Sequence, residues 1–157
     1  MTAFAVSTVA LVAVGGTACG GSDDGPGTLS KSAFAKQTNA LCSKAKADRN
    51  ALLQQLSPTP SGTADAQKLR SVATTDRELI RHVDALVPPD AEQDQVDKVL
   101  DAWRQRANVE GLYADAVGAM QDPATLASVT GNLAQIDSRT DPIAVQLGLT
   151  ECTRGTP

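Results

Sequence analysis

The chain has 157 residues, 14 Lys+Arg against 18 Asp+Glu, a formal charge of −4, three cysteines, one His and four aromatic residues, Phe4, Phe34, Trp103 and Tyr113. That length makes one domain at most. The acidic balance provides no basic surface to neutralise phosphates, and so few aromatics make no stacking platform, so nucleic acid is excluded as a partner.

Residues 1–14, MTAFAVSTVALVAV, carry no charge. The run is shorter than the roughly 20 residues that span a bilayer, and it has the length of the apolar part of a secretory signal. Small residues follow, Gly15 to Ala18, and then Cys19. The segment Gly16-Thr17-Ala18-Cys19 resembles the lipobox of bacterial lipoproteins. Gly16 stands where that family usually has Leu, Val or Ile, and no Lys or Arg precedes the apolar run. The resemblance implies cleavage before Cys19 and acylation of that cysteine, which attaches the protein to the membrane. Each buried CH₂ adds about 0.8 kcal/mol, and more than one chain anchors stably. Residues 20–27, GGSDDGPG, look like the tether of such proteins. The expected division is a signal peptide over 1–18, a flexible tether over 19–29 and a helical domain over 30–157.

If Cys19 carries lipid, Cys42 and Cys152 remain. In an oxidising compartment an even remainder reads as one bridge. Free thiols are the alternative. A redox pair usually shows C-x-x-C spacing and a zinc site needs four ligands; neither pattern is present.

Residues 28–152 predict four helices and no strand, because apolar residues recur at steps of three and four and never alternate for long. The first starts after Ser30, an N-cap residue, with the stripe Phe34, Thr38, Leu41, Ala45, Arg49, Leu52 and Leu56. Cys42 is expected at the edge of that stripe. The Pro- and Ser-rich segment 57–62 ends it. The second starts near Thr63, with Ala66, Leu69, Val72, Ala73, Asp76, Leu79, Ile80, Val83 and Leu86, and stops at Pro88-Pro89. The third begins at Asp90, with Gln93 completing a capping box. Its stripe is Val96, Val99, Leu100, Trp103, Ala107, Glu110, Val117 and Met120. Gly111 and Gly118 each weaken it by about 1 kcal/mol relative to Ala, and are read as places of close helix approach. The fourth opens with Asp122-Pro123 and carries Leu126, Val129, Leu133 and Ile136. Asp141-Pro142 repeats the start signal, so a break or kink is expected there, with a short last piece from Ile143 to Leu147 and Gly148 beyond its end.

Short connections predict an antiparallel, up-down four-helix bundle, stapled by one disulfide. A three-helix arrangement with an irregular fourth segment is the alternative. In the bundle the chain after Leu149 returns toward Cys42, about 18 Å along the first helix. The whole chain resembles small, poorly characterised secreted lipoproteins of actinobacteria, through GTACGGSDDG, FAKQTNALCSKAKA, ALVPP and LGLTEC. That resemblance implies location, fold and a Cys42–Cys152 bridge, and carries no catalytic residue.

The sequence contains no phosphate loop, G-x-S-x-G, H-E-x-x-H or EF-hand spacing. Glu78 and His82 share a helix face at i and i+4, and Asp94, Asp97 and Asp101 fall opposite them if the second and third helices pair. A weak divalent-metal site is the sharp reading, a solvated charged face the favoured one. Haem on His82, Tyr113 or Met120 has no spacing to select it. Asp76 and Glu110 interrupt apolar stripes, and a buried carboxylate is costly unless paired. They mark a polar pocket or an acid/base site, or, more commonly, stripe edges paired with Arg77, Arg81 or Arg106. Trp103 lines an apolar pocket or belongs to the core.

The leading expectation is a non-enzymatic, lipid-anchored helical domain outside the cytoplasmic membrane, serving as an envelope or interaction module. Its partners are the membrane, through Cys19, and an envelope protein. A carrier of a small apolar ligand is the alternative. A pocket beside Trp103 favours the carrier, and an exposed apolar patch on a solid core favours the partner-binding module. An enzyme ranks last and no cofactor is expected. Without acylation of Cys19 the protein is secreted and soluble.

Overall fold

The structure, a computed structural model, describes residues 27–154. The predicted signal peptide, Cys19 and most of the tether lie outside the described residues. The described chain is a helical bundle: α1 (Lys31–Leu53), α2 (Gly62–Asp84), a 3₁₀ turn (Asp90–Glu92), α3 (Gln93–Gly118), α4 (Pro123–Gln146) and a second 3₁₀ turn (Thr150–Cys152). No described helix is long and apolar enough to cross a membrane.

Helix α1 starts where Ser30 Oγ accepts from the Ala33 N–H. Its buried residues, Phe34, Thr38, Cys42 and Ala45, are spaced by three and four, and the next step of four reaches Arg49. Cys42 is therefore at the centre of the buried face, and Leu41 packs beside it half-buried. The helix ends at Leu53, before Leu56. In the loop that follows, the buried Asp65 carboxylate accepts from the Ser57 and Ser61 N–H groups, at 3.3 and 3.1 Å. These bonds hold the Pro58 to Pro60 segment against the start of α2.

The α2 stripe is buried as its periodicity predicts, from Ala66 to Val83, with Asp76 inside it. The capping box expected at Asp90 does not form. The first turn there is 3₁₀, entered from Pro89, and Gln93 turns forward to donate to Asp97 instead of back to Asp90. Gly118 is a true close approach: a Cβ there would lie 3.1 Å from Ala66 Cβ. Gly111 instead leaves room for the Arg77 guanidinium. Met120, expected on the apolar stripe, is 75% exposed.

Asp122 caps α4 by accepting from the Ala124 and Thr125 N–H groups, with Pro123 in the first turn. The helix then runs through Pro142 without a break, so residues 143–147 are not a separate piece. Proline deletes one helical hydrogen bond. Ile136, Thr140 and Ala144 are buried on either side of it. At the end of α4, Gly148 (φ +77°) donates to Val145 and Leu149 donates to Ala144, a Schellman motif that turns the chain back over α1.

Neighbouring segments meet at identifiable points. Leu29 N–H donates to Val87 O, and Lys68 reaches Gln55 O. Asn39 is the clamp between α1 and the chain after α4: its Nδ2 donates to Gly148 O at 2.8 Å and its Oδ1 accepts from Glu151 N–H at 3.0 Å. That clamp brings Cys152 over Cys42, and the two form a disulfide with Cα atoms 5.0 Å apart. The apolar interior is divided. A large cluster includes Phe34, Ile80, Val99, Trp103 and Leu147, and a small one holds Leu69, Ala114 and Val117. Along α2 and α3, Asp76 and Glu110 fall between the two.

Candidate functional site

Charged side chains from five segments converge at that level. Arg49 comes from α1, Asp76 from α2, Arg106 and Glu110 from α3, Asp137 from α4, and Arg154 from the end of the described chain. Asp76 Oδ2 accepts from Arg49, from Arg106 at 3.3 Å and from Arg154 at 2.8 Å. Glu110 Oε1 accepts from Arg106, four residues earlier on the same helix, and from Arg49 at 2.8 Å. Arg106 Nε also donates to Asp137 at 2.8 Å. Asp76 and Glu110 are almost wholly buried. Their burial is tolerable because each is paired and hydrogen-bonded.

The cluster sorts the protonation states of its two buried carboxyls. Burial pushes Asp76 up, but Arg154 and Arg49 outweigh it and hold the group below its ordinary value. Burial, and then the adjacent charge of Asp76, hold Glu110 above its ordinary value against Arg106 and Arg49. Among the described residues, the second oxygen of each, Asp76 Oδ1 and Glu110 Oε2, is buried and has no hydrogen-bond partner.

Above the cluster is a cavity of about 150 Å³. Arg49, Arg106 and Arg154 form its polar wall, and Ala45, Leu79 and Trp103 its apolar wall. The disulfide lies along one side, and Lys46, Asn50, Leu53 and Glu151 complete the lining.

Of the residues singled out from the sequence, Asp76 and Glu110 are together in the charge cluster and Trp103 lines the cavity beside it. Glu78 and His82 are elsewhere, exposed on α2. His82 Nε2 lies 3.2 Å from Arg81, and the carboxylates foreseen near it are otherwise engaged, Asp97 with Gln93 and Asp101 with Arg104. Among the described residues no group of three His, Cys, Asp or Glu side chains is placed to hold a metal ion. Tyr113 is half-buried against the small apolar cluster, at a distance along α3 from Trp103.

Arg106 pairs with the carboxylates, as the sequence offered. Arg77 and Arg81 do not: Arg77 reaches Ala107 O and Arg81 lies beside His82. Arg49 and Arg154 replace them, and Asp137 pairs with Arg106 from the other side. Arg49 carried a signal, a cation on an apolar stripe facing two stripes that each hold an acid. Arg154 carried none, because the disulfide, the Asn39 clamp and the bond from its own N–H to Asp141 Oδ1 (3.2 Å) bring it to the cluster. No family model matches this chain, and no curated protein or solved structure matches it.

Proposed function

We propose that this chain is a lipid-anchored domain on the extracytoplasmic face of the cell membrane, and that its helical part binds a small molecule without transforming it. The observation that carries the binding reading is the cavity beside Trp103, with charged side chains already fixed by one another along one wall. The disulfide supports an oxidising compartment, in keeping with the lipobox-like segment ending at Cys19. An antiparallel, up-down course of the four helices fits the meeting points at Leu29 and Val87, Lys68 and Gln55, Arg104 and Asp84, and Asn39 and Gly148. Each buried acid is held by arginines through one oxygen, so neither is a freely accessible general base, which favours binding over catalysis. A second reading, an envelope-protein partner, draws on the shallow groove of Leu41, Ala85 and Leu86.

The test of location is the intact mass of the native protein purified from its membrane fraction, with and without reduction. The expected mass corresponds to cleavage before Cys19 plus acyl chains, rising by two hydrogens on reduction. An uncleaved chain with an unmodified Cys19 overturns the anchoring.

A further inference from the structure

The lining of the cavity has a sign. Four cationic side chains, Lys46, Arg49, Arg106 and Arg154, face it with a single acid, Glu151, in a chain whose net charge is −4. A guanidinium offers several N–H donors in a planar fork that matches a carboxylate. Arg49 commits only Nη1 to the buried acids, and Arg154 only Nη2. Both side chains also line the cavity. Asp76 and Glu110 hold these forks from below, so a ligand finds them already ordered and does not bear the cost of fixing two long side chains. The same cavity has an apolar lining as well, Ala45, Leu79 and Trp103. A partly open space near 150 Å³ has room for a benzene-sized body.

We propose that the cavity is a site for a small organic carboxylate, with the acid held by Arg49 and Arg154 and a benzene-sized apolar body against Trp103, Leu79 and Ala45. This rests on the small-molecule reading above and names its ligand class. Inorganic phosphate is the competing anion. It would satisfy the guanidinium groups and leave the apolar wall bare.

Trp103 is the single tryptophan of the chain, so its fluorescence reports on the cavity directly. The experiment titrates the oxidised full-length protein, in detergent, with benzoate, with benzamide as its neutral counterpart, and with phosphate. Saturable change with benzoate is expected, with benzamide and phosphate each at least about tenfold weaker, since a guanidinium discriminates a charged fork from a neutral amide. Lys46 is exposed where it lines the cavity and makes no ion pair among the described residues, so Lys46→Glu is expected to leave the melting temperature unchanged. It is expected to weaken benzoate about three- to tenfold, the scale of a rim charge reversed. Benzamide binding as well as benzoate, phosphate binding in its place, or a Lys46→Glu variant with unaltered affinity overturns the carboxylate assignment and leaves small-molecule binding standing. No saturable change with any of the three, in folded and oxidised protein, overturns the cavity as a binding site and the small-molecule reading with it.

Discussion

Asp76 accepts from three arginines through one oxygen, and Glu110 shares two of those arginines. The two acids respond differently to loss of charge. Asp76→Asn leaves buried cations facing too little negative charge, and is expected to destabilise the fold by about 3–5 kcal/mol in urea unfolding, the usual cost of breaking a buried pair from one side. Glu110→Gln keeps the shape, and its amide can donate to Asp76. Because folding raises the Glu110 pKa, the folded protein holds that proton more tightly than the unfolded chain. The resulting stability is complete below pH 4.5 and is lost as pH rises through the folded value. Asp76 acts in the opposite sense: its contribution is complete above pH 3.8 and is lost as pH falls through its lowered value. Glu110→Gln is therefore expected to melt at or above the wild-type temperature at pH 7, with the advantage narrowing toward pH 4. A loss of more than about 2 kcal/mol at pH 7 would show that Arg49 and Arg106 require the Glu110 charge.

At the scale of elements, two glycines on different helices separate propensity from packing. Gly131 is exposed on α4, and a Cβ there meets nothing. Gly131→Ala is expected to raise stability by about 0.5–1 kcal/mol, by reducing the freedom of the unfolded chain. Gly118 faces Ala66 at a separation that a side chain must widen. Gly118→Leu is expected to cost about 1–3 kcal/mol, because α2 and α3 must part. Paired thermal melts check both signs; a stabilising Gly118→Leu would remove the close approach as a feature of the fold. The four helices were legible because each buries a stripe at helical spacing, and the Asp122-Pro123 start was legible from its cap chemistry. Pro142 misled because local backbone rules count one lost hydrogen bond and not the burial of Ile136 and Ala144 on either side of it. The level of Asp76 and Glu110 was legible as two interruptions of apolar stripes. Their partner Arg154 was not, since it belongs to no periodic segment and reaches Asp76 from 78 positions away only through contacts that close the chain.

Those contacts matter for the molecule as a whole. The Cys42–Cys152 bridge spans 110 positions and so encloses nearly all of the described chain. In the chain-entropy account a loop of that size stabilises by about 4–5 kcal/mol, chiefly by restricting the unfolded state. Asn39 still bonds Gly148 and Glu151 when the sulfurs are removed, so a Cys42→Ser, Cys152→Ser double variant keeps a local hold on the returning chain. The expected outcome is a folded, helical protein with stability lowered by about 4 kcal/mol and a steeper dependence on urea, because the uncrosslinked chain exposes more surface when it unfolds. Arg154, two residues beyond Cys152, loses the tether that presents it to Asp76. The variant should therefore also bind benzoate more weakly than the oxidised wild type at temperatures where both are folded. Urea unfolding and the Trp103 titration on the same preparation separate the two effects. A stability loss under about 1 kcal/mol would mean that packing and the Asn39 clamp close the chain by themselves. An unchanged benzoate affinity would mean that the Asn39 clamp and the bonds of Arg154 to Asp76 and Asp141 place it without the disulfide.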